Sequence, residues 1–179
     1  MTIPGATPTS RSARGRELLS AAAAVSAVAA CGVLLGAAAP GLAPGVAPHP
    51  VLHGTVGEAA AILAHNLRLL ATPLILAGAR FARSPATRLL GDVLVGALVL
   101  SNPLLVGLAL GRDQAKLVAY LPGLPCEWAA LTVAAAGWLA ARRGADRPGM
   151  IGAYGAVVLV LCLLAAGLET FATPHLGRR

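Results

Sequence analysis

Residues 59–81 read AAAILAHNLRLLATPLILAGARF. Leu, Ile and Ala dominate over 23 residues, and apart from Arg80 near the end the few polar side chains are gathered at His65, Asn66, Arg68 and Thr72. A helix rises about 1.5 Å per residue, so roughly 20 apolar residues cross a hydrocarbon core about 30 Å thick. Four further stretches meet the same test, at 18–39, 89–111, 122–141 and 149–172. The sequence therefore predicts an all-α polytopic membrane helical bundle of about five transmembrane helices.

Composition agrees. Of 179 residues 57% are apolar and 12% charged, with a mean hydropathy of +0.76, whereas a soluble domain carries about 25% charged residues. That excludes a soluble globular domain and a disordered chain, and 3 cysteines are too few for a secreted disulfide scaffold. With 21 Gly and 3% aromatics, the helices are expected to be slim and to pack through small side chains. Thirteen of the 14 basic residues are Arg and only Lys116 is Lys, a usage that resembles GC-rich, actinobacteria-like coding.

The charges suggest an orientation. Residues 1–17 carry Arg11, Arg14 and Arg16 among Thr, Ser, Pro and Gly and read as a flexible basic cytoplasmic tail. Residues 18–179 read as a single transmembrane bundle, with a Pro/Gly-rich extracytoplasmic loop at 40–58 that holds no Lys or Arg. An N-terminus inside gives nine cytoplasmic arginines (Arg11, Arg14, Arg16, Arg80, Arg83, Arg88, Arg142, Arg143, Arg147) against Arg112, Lys116, Arg178 and Arg179 outside. The positive-inside rule then places the C-terminus outside, and the net charge of +7 reflects membrane topology, with no nucleic acid implied. A basic leader, an apolar run and small residues at 37–40 also describe a cleaved signal peptide. Retention is preferred because the run is longer than the roughly 7 to 15 residues of a signal core. Gly32 and Gly36 have the spacing of a close helix contact, or reflect background in a glycine-rich chain.

Arg68 is the most informative charge, because an arginine within a span costs about 2.5 to 3.5 kcal/mol on insertion scales. Counted from the outer ends of the spans at 1.5 Å per residue, His65 lies roughly 9 Å deep, Arg68 and Asn102 roughly 14 Å, and Glu127 roughly 8 Å. These residues, with Asn66, form the expected intramembrane polar cluster in the outer half of the bundle. Arg68 is expected to pair with Glu127, with His65 and Asn102 hydrogen-bonding nearby and Asn66 on a neighbouring helix face. Such a cluster reads either as helix glue or as a functional polar pocket.

Other polar residues read more plainly. Asp92 follows Arg88 by four residues and suits an interfacial ion pair; Glu169, on one face with Cys162, is expected to be solvated near an outer helix end. Pro73 and Pro103 are expected to kink their spans. Residues 112–124 look like a short amphipathic interfacial piece, and Trp128 an interface aromatic. No phosphate loop, HExxH or serine elbow is present. His49 and His53 lack the ordered surroundings of a metal site, so no metal and no cofactor are expected. Cys31, Cys126 and Cys162 are expected to stay free.

Three stretches carry a family resemblance: ILAHNLRLLATPLILAGARF at 62–81, GDVLVGALVLSNPLLVGLALG at 91–111 and LPGLPCEWAALTVAAAGWLAARR at 121–143. Together they resemble the stage II sporulation protein M family in five-span size, in an asparagine early in the second span (Asn66), and in Asn102, Pro103 and Gly107 of the third. The family's Leu-Pro-His-Gly-x-x-Glu motif at the start of the fourth span is matched by Leu121, Pro122 and Glu127, with Gly123 and Leu124 in place of His-Gly. The resemblance covers about three of five spans. It implies a non-enzymatic membrane scaffold, which in endospore formers gathers peptidoglycan-degrading enzymes at the engulfing septal membrane.

Two functions stay open. In the first, the chain is a scaffold or accessory subunit of the bacterial cytoplasmic membrane, touching the bilayer and recruiting a second membrane or extracytoplasmic protein as a hetero-oligomer. In the second, it is a membrane enzyme or an obligate enzyme subunit, for instance in tailoring a peptide natural product. His65, Cys126 and Glu127 are then the catalytic acid–base candidates.

Overall fold

The computed structural model describes residues 9–42, 53–79, 84–117, 121–144 and 149–172, and every regular element among them is helical. In chain order these are α1 (Thr9–Ala38), a 3-10 turn (Pro40–Leu42), α2 (Val56–Leu70), α3 (Thr72–Gly78), α4 (Pro85–Leu117), α5 (Leu124–Arg142) and α6 (Met150–Gly167). A π turn (Leu168–Ala172) continues α6. Four helices are long and apolar enough to cross a membrane, and five if α2 and α3 form one bent span. His49, His175, Arg80, Arg83, Arg147, Arg178 and Arg179 lie outside the described residues.

α1 begins at Thr9, ahead of the apolar run, so its first turns carry Arg11, Arg14 and Arg16. α2 starts where Thr55 and Glu58 close a capping box. The Thr55 hydroxyl accepts the Glu58 N–H at 3.2 Å, and the Glu58 carboxylate accepts the Thr55 N–H at 2.9 Å. The expected second span does not run through as one helix. Pro73 has no N–H to bond back to Leu69 and its ring crowds the preceding turn, so the helix breaks at Ala71 with a bend of 51°. The Thr72 hydroxyl donates to the Arg68 carbonyl at 2.8 Å, which satisfies an acceptor at the break. Pro103, by contrast, sits inside an unbroken α4, which also runs on to Leu117 through much of the expected interfacial piece.

α1 and α4 lie side by side in the same direction. A Cβ on Gly32 would stand 2.6 Å from the Leu104 carbonyl oxygen, and one on Gly107 would stand 2.5 Å from that of Ala29. Gly36 meets Leu108, and Gly111 meets Val33, in the same way. Two Gly-x-x-x-Gly pairs thus interlock, and the two backbones touch where any side chain would hold them apart. The spacing on α1 is a packing motif, and its partner is Gly107 and Gly111.

α5 is the centre of the bundle. It is the least apolar of the four long spans, yet 56% of its apolar stretch is buried, against 22–28% for α1, α4 and α6. Lipid solvates Leu and Val as well as protein does, so the most apolar helices turn outward and the Ala/Gly-rich one is enclosed. Ala130, Leu131, Ala134 and Ala136 are fully buried. Trp138 fills the one wide gap, seated on Gly91, where a Cβ would collide with its ring.

Candidate functional site

One end of α5 carries an acidic knot. Glu127 lies in the first turn, where the helix dipole favours a carboxylate. Asn66 is the buried polar residue of α2, and its amide donates to Glu127 Oε1. The third partner comes from α6. Its last turn widens into π geometry and turns Glu169 inward, to 8% exposure, against the first turn of α5 beside the Glu127 carboxyl. Gly123 makes room, since a Cβ there would stand 2.5 Å from Glu169 Oε1. Cys162 is buried on the same side of α6. Beside the knot, the Trp128 indole N–H and the Thr170 hydroxyl are buried without a hydrogen-bond partner among the described residues.

The structure redistributes the expected cluster. Asn66, and not Arg68, meets Glu127. Arg68 is exposed on α2, and among the described residues its side chain makes no hydrogen bond or ion pair. The cause is angular: on a helix, positions 66 and 68 are about 200° apart, so burying one exposes the other. His65 is also exposed and makes no hydrogen bond to Glu127. Asn102 is half-buried on α4 and bonds to none of these side chains among the described residues. Cys126 is half-buried, and its N–H donates to the Gly123 carbonyl at 3.0 Å. Glu169 is not solvated, as its place near a helix end suggested. Trp128 packs against the inner cluster of Leu131 and Val158.

The other end of the bundle is tied by ion pairs. Asp92 of α4 accepts from the Trp138 indole at 3.1 Å and pairs with Arg142 at 2.8 Å. Glu17 of α1, 3% exposed, pairs with Arg143 at 3.1 Å. Asp92 is therefore an ion-pair residue, and Arg142 and Trp138 of α5 are among its partners. His53 stands beside Glu58 at 3.3 Å, and among the described residues no three His, Cys, Asp or Glu side chains converge on a metal position.

Fold and site together define a class: an all-helical protein with four or five candidate membrane-spanning helices, held at each end by a polar knot on the central helix. Compared with family models, with curated proteins and with solved structures, the chain matches none.

Proposed function

We propose that the protein is a non-enzymatic scaffold or accessory subunit of a bacterial cytoplasmic membrane, similar in role to the sporulation protein M family. One observation carries this reading. The Glu127 carboxyl of α5 accepts a hydrogen bond from Asn66 of α2 and lies beside the buried Glu169 of α6, so it sits where three helices join. His65 and Cys126, the other acid–base candidates, are not hydrogen-bonded to it. The motif residues Asn66, Pro122 and Glu127, which carry the family resemblance, fall at or beside this knot. The arginine count supports an N-terminus inside and a C-terminus outside.

The experiment is a parallel assay of wild type and Glu127→Ala: thermal stability in mild detergent, and recovery of co-purifying proteins from native membranes. The reading expects both to fall together. A Glu127→Ala protein that is stable and still recovers its partner overturns it. Loss of a catalytic turnover in His65→Ala, Cys126→Ala or Glu127→Gln, with assembly intact, makes the chain an enzyme instead.

A further inference from the structure

On α2 the residues Gly57, Ala60, Ala61, Ala64, His65 and Arg68 are all exposed. They follow one another at intervals of three, one, three, one and three, so they lie along one face of the helix. The opposite face, with Asn66 and Leu70, is the one turned to α5 and α6. Arg68 stands twelve residues into the broken span, about 18 Å along the helix from Val56. At that depth a charge needs protein, water or a counter-ion, and among the described residues Arg68 has no anionic partner. Glu127 is taken up by Asn66 on the opposite face of the helix, and Glu169 is buried beside it on α6.

We propose that this face of α2 docks a transmembrane helix of a second protein, which brings an Asp or Glu carboxylate to the Arg68 guanidinium. The proposal rests on the accessory-subunit reading and names the partner's recognition chemistry. Charge decides the occupant. The small side chains from Gly57 to Ala64 allow a second helix to come close, and a carboxylate then reaches Arg68 in the fork geometry that guanidinium favours. A second copy of this chain fits poorly. A two-fold axis along the membrane normal would set Arg68 against its own copy, with His65 beside it, and like charges in a poorly hydrated contact repel.

The test places a photo-crosslinking residue at position 61 of the full chain, with a control at the exposed Leu163 of α6, in native membranes. The adduct is mapped by mass spectrometry of its peptides. The expected result is a crosslink from position 61, absent from 163, to a membrane helix containing an Asp or Glu. Arg68→Glu should reduce its yield at least tenfold, and exchanging the mapped acid for Arg should restore it. Because the exposed Arg68 side chain makes no hydrogen bond or ion pair with a described residue, Arg68→Glu should leave the detergent melting temperature of the bundle unchanged. A crosslink unaffected by Arg68→Glu, an adduct with a second copy, an adduct with phospholipid alone, or a mapped helix without an acid overturns the proposal. If affinity recovery still finds a partner that crosslinks elsewhere, this docking face fails and the accessory-subunit reading stands; a chain recovered alone in both assays defeats both.

Discussion

The two ends of α5 solve the same problem with opposite chemistry. At one end, Arg142 and Arg143 reach out to Asp92 and Glu17 and tie α5 to α4 and α1 by charge. At the other, Glu127 finds no cation, and it meets an amide from α2 and a second, buried acid from α6. Water explains the difference. Both arginines are about half exposed, and a long side chain can hold its charge at an interface while its partner sits deeper. Glu127 lies among helices where a hydrogen bond to a neutral amide satisfies a carboxyl at lower desolvation cost than an ion pair.

That contrast makes graded predictions. The largest effect belongs to Trp138→Ala, which empties the gap over Gly91 and takes a donor from Asp92. A loss of about 3 to 5 kcal/mol is expected from a buried aromatic truncated to alanine, read by denaturant titration in detergent. Arg143→Ala comes next, because Glu17 is 3% exposed and would lose the guanidinium it pairs with. A cost of about 2 kcal/mol is expected, below that of a fully buried pair because Arg143 is itself more than half exposed. Glu127→Ala should cost about 1 to 3 kcal/mol, since it leaves Asn66 buried and unsatisfied, while Glu127→Gln should cost much less. Arg142→Ala should be the mildest, at about 1 kcal/mol or less, because its pair with Asp92 is partly exposed. If Arg142→Ala proves as harmful as Arg143→Ala, burial is not what distinguishes the two pairs.

How much was legible follows the same line. The apolar runs marked all the helices, because spanning a bilayer imposes length and composition on the sequence. They could not mark the break at Ala71, where the whole of 59–81 is apolar enough to continue; only Pro73 carried that signal. The capping box of Thr55 and Glu58 was present in the residues as Thr-x-x-Glu and sets the start of α2. Gly32 and Gly36 could be read as a contact, but its partner, Gly107 and Gly111 on α4, depends on which helices are neighbours.

The site was legible by composition more than by pairing. Arg68 stood out as a charge within a span, and the search for its counter-charge led to Glu127 at the start of another. Helix geometry had already placed Asn66 on another face from Arg68, and that face is the one turned inward. Glu169 was hidden by its position near a helix end. What buries it is the π turn at Leu168–Ala172, a change of pitch that no single residue announces. An apolar neighbourhood on α6, with Cys162 seven residues before it, was the available hint.

The central claim is that Glu127 and Glu169 act on each other as structural partners. A double-mutant cycle measures this: unfolding free energies of wild type, Glu127→Ala, Glu169→Ala and the double variant in one mild detergent. The account predicts non-additivity, the double variant being less destabilised than the two single losses combined by about 0.5 kcal/mol or more. Strict additivity would contradict it, leaving the two carboxyls as neighbours with no structural bond between them.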